Sequence, residues 1–71
     1  MTSEASAPVV DARGMKCPWP ALRLARAMRA ELAVILLADD PQAGREVAAL
    51  AAEHGWTVAT EADGRWRVCR S

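Results

Sequence analysis

Apolar and polar positions along the chain divide it into six segments. Val9 and Val10 open the first, a short strand ending near Asp11-Ala12, ahead of a turn at Arg13-Gly14. From Pro18 to about Leu32 the apolar residues recur at helical spacing. Steps of about 100° per residue place Ala21, Leu24, Ala25, Met28 and Leu32 on one face. Arg23 and Arg26 fall opposite, with Arg29 at the flank. The spacing predicts an amphipathic helix with a basic outer ridge.

Residues 33–38 read AVILLA, an apolar run without alternation. Such a run predicts a strand buried on both faces, in the middle of a sheet. Asp39-Asp40-Pro41 follows and suits a helix start, with Asp40 at the N-cap and Pro41 at the first helical position. The second helix is expected from about Pro41 to His54, with Ala43, Val47, Leu50, Ala51 and His54 as its inner stripe. Gly55 supplies the left-handed residue that stops it, followed by apolar Trp56. Thr57 to Glu61 and Arg65 to Cys69 flank Ala62-Asp63-Gly64, and Asp-Gly predicts a tight hairpin turn. In the last strand Trp66 and Val68 share one face, and Arg65, Arg67 and Cys69 the other.

The order βαβαββ predicts an α/β (α+β) fold. Its architecture is a two-layer sandwich, a mixed four-stranded sheet with both helices on one face. The first three elements form a βαβ unit, whose crossover is expected to be right-handed. The other face of the sheet is expected to be open and partly lined by the AVILLA run, an apolar surface that invites a partner. Residues 1–8 read as a flexible N-terminal tail and 9–71 as a single domain.

Size and charge narrow the function. A chain of 71 residues buries only about 60% of its unfolded surface, leaving little room for an enclosed cofactor or extended substrate. Its 52% hydrophobic content supports a folded core. Nine basic residues balance nine acidic ones, without the basic excess that phosphate binding demands. Phe and Tyr, which stack on bases, are both missing. Direct nucleic-acid binding is therefore not expected. No stretch approaches the roughly 20 apolar residues of a membrane span. The first eight residues show neither a basic start nor an apolar run, so the expected compartment is the cytoplasm.

Cys17 and Cys69 are the two cysteines, far apart in sequence, and His54 is the single histidine. Neither a disulfide scaffold nor a structural zinc site suits that inventory. Cys17 lies in Arg13-Gly14-Met15-Lys16-Cys17-Pro18-Trp19-Pro20. Prolines suit a helix's first turn, where backbone amides lack intrahelical partners. Cys17 is thus expected at the N-terminus of the first helix, where the dipole and free amides favour an anion. Lys16 and Arg13 add positive charge nearby. That setting lowers a thiol pKa and equally favours a terminal persulfide anion. Pro18 and Pro20 stiffen the segment. On local physics alone, a cysteine used as a small hydrophobe beside a helix start is as good a reading.

The segment Asp11-Ala12-Arg13-Gly14-Met15-Lys16-Cys17-Pro18-Trp19-Pro20, with Ala38-Asp39-Asp40-Pro41 downstream, closely resembles the TusA/SirA-like sulfur-carrier family. The family places Cys-Pro-x-Pro at the first helix after an Asp-x-Arg-Gly turn, and ends a strand in Asp-Asp-Pro before the second helix. The resemblance spans residues 9 to 69. It implies a βαβαββ fold and Cys17 as catalytic residue and persulfide site. The implied sulfur donor is a cysteine desulfurase or a rhodanese-like protein, and the implied recipient a downstream acceptor protein. Family uses include tRNA thiolation, molybdenum-cofactor supply and sulfur oxidation. The chemistry is thiol–persulfide exchange, with no metal or organic cofactor.

The remaining candidates each have a plainer reading. Arg13 steadies either the persulfide or merely its turn with Gly14, and Trp19 shields the sulfur or contacts a partner. Asp40 is assigned to capping, and Asp39 to orienting the loop near Cys17. Arg23 and Arg26 form a solvated face or a docking ridge. His54 is assigned to charge complementarity or packing at a helix end. Cys69 matches no family motif; it is incidental, or a resolving thiol. The alternative function is a non-catalytic interaction or regulatory module built on the open sheet face and the basic ridge.

Overall fold

The structure, a computed structural model, describes residues 7–70. Most of the expected tail, residues 1–6, lies outside the described residues, as does residue 71. Six elements follow one another: β1 (Val9–Asp11), α1 (Trp19–Met28), β2 (Ala33–Leu37), α2 (Ala43–His54), β3 (Thr57–Ala62) and β4 (Arg65–Cys69). The sheet order is β1-β2-β4-β3, with β1 parallel to β2 and the other pairs antiparallel. This is the expected mixed four-stranded α+β sheet with two helices.

The unbroken apolar run becomes β2 because it lies between two neighbours. Val34 and Leu36 face Val68 and Trp66 across the register and are fully buried. They meet Leu24 and Met28 of α1 and Val47 of α2 in one core, so both helices cover the same sheet face. Burying side chains of this size stabilises by about 1.5–3 kcal/mol each. Among the described residues no polar or charged side chain is buried.

The opposite sheet face departs from expectation. By register, Val9, Ile35, Arg67 and Ala59 form one row across it, and Leu37 and Arg65 belong to the next. Glu61 bridges Arg65 at 2.9 Å and Arg67 at 2.8 Å. Ile35 is only 3% exposed although it points to this side. Long arginine stems cover apolar neighbours while their heads stay in water. The face is an ion-paired surface rather than an open apolar one.

Both helices also differ from the periodicity. α1 ends at Met28, and Leu32 is 77% exposed instead of lining the inner stripe. The backbone explains this. Arg29 N and Ala30 N turn back to Arg26 O and Ala27 O, tightening the last turn. Leu32 O is taken by Arg70 N at 2.9 Å, extending the sheet. The Arg70 guanidinium donates to Met28 O and Arg29 O, satisfying carbonyls at the helix end. α2 begins at Ala43, two residues after Pro41, because Pro41 and Gln42 form a turn held by Asp40. At its far end His54 is exposed and stacks on Trp56 with ring centroids 4.5 Å apart, outside the expected stripe. Gly55 stops the helix at φ +75°, the left-handed conformation expected of it.

Gly64 completes the frame of the site. Its φ is +75°, and a Cβ there would stand 2.6 Å from Ala38 O. Its carbonyl accepts Ala38 N at 3.0 Å. The β3–β4 turn is thereby docked on the end of β2, immediately before Asp39.

Candidate functional site

The loop between β1 and α1 carries Cys17, and its path is set by three aspartates. Asp11 turns back on its own strand end. Its carboxylate accepts Arg13 N at 3.1 Å and the Arg13 guanidinium at 2.9 and 2.7 Å. That cation holds the Asp11 carboxyl down at about 2. Gly14, at φ +86°, donates its amide to Asp39 Oδ1 at 2.9 Å. Cys17 N donates to Asp40 Oδ2 at 2.6 Å, and Asp40 Oδ1 accepts Gln42 N at 2.9 Å. The Gln42 amide foremost, and then the Cys17 amide, hold the Asp40 carboxyl below the usual carboxylate range.

The Asp39-Asp40 pair at the end of β2 thus grips the cysteine loop at two points. Asp40 is more than a local cap, since it spans two loops and holds the turn before α2 rather than the first helical residue. Lys16 is exposed and acts on Asp40. Arg13 is engaged with Asp11.

Cys17 is exposed, immediately before the Pro18 cap of α1, and neither cysteine is in a disulfide. Two open grooves run beside it. One of about 340 Å³ is lined by Gly14, Met15, Lys16, Asp39, Asp40 and Pro41. The other, about 620 Å³, reaches from Arg13 and Asp39 to Gly64 and Trp66. Neither lining includes Cys17. Trp19 is 59% exposed and Leu22 51% exposed, both on α1 just after the cysteine.

The electrostatics reverse one expectation. A helix N-terminus favours a thiolate through its free amides, and here most of them are missing or already bonded. Pro18 and Pro20 have none, Cys17 N goes to Asp40, and Trp19 N goes to Lys16 O at 2.9 Å. Cys17 Sγ instead donates to Glu46 Oε2 at 2.9 Å. That hydrogen bond, with burial and the charges of Glu46 and Asp40, pushes the thiol above its ordinary value. The contact with Glu46 thus favours the thiol over the thiolate.

Glu46 did not stand out in the sequence. It sits in the first turn of α2, where an acidic residue is explained by the helix dipole alone. Other candidates stand apart from Cys17. Cys69 is partly buried on β4, in the row of Ala33 and Thr57, and His54 lies at the C-terminal end of α2. Arg23 and Arg26 are exposed on α1. Among the described residues no three His, Cys, Asp or Glu side chains group as metal ligands.

A search of curated proteins found no significant match. The Cys17 loop, the Asp39-Asp40 clamp and all six structural elements fall within residues 9–69, the span matched by the family model for sulfurtransferase TusA, and the chain therefore belongs to the TusA sulfurtransferase family.

Proposed function

We propose that this chain carries sulfane sulfur as a persulfide on Cys17, taking it from one protein and delivering it to another. The observation that carries the reading is the exposed Cys17 sulfur on a loop tied to Asp39 and Asp40, within the family-matched span. A relay between proteins needs a sulfur that two partners reach in turn. Loading is thiol–persulfide exchange: the Cys17 sulfur attacks the outer sulfur of a donor persulfide, and the donor's own sulfur leaves as a thiol. Delivery repeats the exchange with Cys17 as the leaving group, so no net oxidant or reductant is consumed.

The donor is a cysteine desulfurase or rhodanese-like protein, and the acceptor a protein of tRNA thiolation, sulfur oxidation or molybdenum-cofactor supply. Residues 9–71 act as one domain, in the cytoplasm. No helix among the described residues is long and apolar enough to cross a membrane. The alternative interaction module loses one support, because the sheet face it would use carries the Glu61 ion pairs.

Intact mass after incubation with a cysteine desulfurase and cysteine, or with inorganic polysulfide, tests the proposal. The expected adduct is about 32 Da, removed by reductant, as thiol–persulfide exchange requires. It is lost in Cys17→Ser. An equal adduct in that variant would overturn the assignment.

A further inference from the structure

The contact between Cys17 Sγ and Glu46 Oε2 joins residues 29 apart in sequence and from two different elements. Glu46 is held there by how α2 is seated. Val47 beside it is fully buried, and Gly44 packs so closely on Trp66 that an added Cβ would stand 3.3 Å from the ring. The charged groups acting on the Cys17 sulfur are Glu46 from α2 and Asp40 from the β2–α2 loop. Lys16, the preceding residue, acts on Asp40, and the first turn of α1 contributes no acid.

Resting on the carrier reading above, we propose that Glu46 is a positioning residue for sulfur transfer, one that keeps the unloaded Cys17 sulfur protonated and aimed at α2. A carboxylate only accepts hydrogen bonds. It therefore binds the thiol S–H and repels the thiolate. Ionising Cys17 in the free protein forfeits that bond and leaves two anions side by side. The resting carrier is then slow toward small electrophiles and oxidants. A donor that presents a cation to Glu46 removes the restraint and releases the nucleophile where sulfur is on offer.

The test is the pH profile of iodoacetamide alkylation in a Cys69→Ser background, so that only Cys17 reports. Glu46→Gln should move the midpoint to lower pH and speed alkylation at neutral pH. For a midpoint lower by about one pH unit, the thiolate fraction at neutral pH rises about tenfold, and the lower intrinsic nucleophilicity leaves a net gain of about threefold. Glu46→Asp, which keeps the charge, should stay nearer the parent profile than Glu46→Gln. A Glu46→Gln profile that coincides with the parent, or moves to higher pH, would overturn the proposal. Intact mass after polysulfide treatment of the same proteins separates this from the carrier reading. Loading with an unchanged alkylation profile rejects the role of Glu46 alone. A midpoint moved to lower pH without loading in any of them rejects the carrier reading.

Discussion

The Asp40 carboxylate accepts the Cys17 amide at 2.6 Å while its other oxygen accepts the Gln42 amide at 2.9 Å. One side chain thereby ties the reactive loop to the turn that starts α2. Position of the sulfur and position of Glu46 are linked through it, because Glu46 rides on that helix.

Replacing Asp40 by Ala should free the loop without unfolding the domain, since Asp40 lies outside the hydrophobic core. Amide exchange at Cys17 should quicken by roughly tenfold, the order expected for losing one charge-assisted hydrogen bond. Exchange at core amides such as Val34 should change far less. Native-state hydrogen exchange read residue by residue distinguishes the two. Uniform acceleration across the sheet would show that Asp40 supports global stability instead.

Gly64→Ala meets two obstacles at once, a φ of +75° and a Cβ 2.6 Å from Ala38 O. The carbonyl is backbone of the central strand's end and has no rotamer to escape into. The expected cost is about 2 kcal/mol. In a domain of this size that lowers Tm by about 10 °C. A thermal melt followed by circular dichroism measures it, and an unchanged Tm would mean that the hairpin turn can shift off β2.

Stability should fall in acid, and the sign follows from three carboxyls. Asp11, Asp40 and Glu61 are all held below their ordinary values, by Arg13, by the Gln42 and Cys17 amides, and by Arg67 and Arg65 respectively. A carboxyl depressed in the folded state contributes stability that is complete above its unfolded pKa. That stability is lost as pH falls through the folded value. Urea midpoints should be level from neutrality to about pH 5, just above the unfolded carboxylate values. They should then decline, with Asp11 the last to titrate at about 2. Asp11→Asn should remove the most acidic part of that decline. Asp11 and Glu61 are solvent-exposed and Asp40 is half-buried, so added salt should flatten the profile.

Periodicity located the elements well where the governing geometry is local. The AVILLA run became the interior strand β2, the alternation in Arg65–Cys69 put Trp66 and Val68 on one face, which the structure turns inward, and Gly55 stopped α2. It erred where a distant partner intervened. Leu32 fits the helical stripe by spacing, yet Arg70 claims its carbonyl for the sheet and leaves the side chain in water. Ile35, by contrast, is buried as the unbroken run predicts, although it points to the sheet side away from the helices.

The same division holds at the site. The resemblance to the family supplied the Asp39-Asp40 pair as companions of Cys17; from the residues alone came Cys17 ahead of a helix and the prolines that frame it. Those features depend on backbone conformation over a few consecutive residues, which spacing encodes. Only the tertiary structure decided which amides the two aspartates accept, and that a carboxylate stands on the sulfur. The protonation of a thiol is set by charges within a few ångströms, and the decisive one here arrives from 29 residues away, beyond the reach of any local pattern.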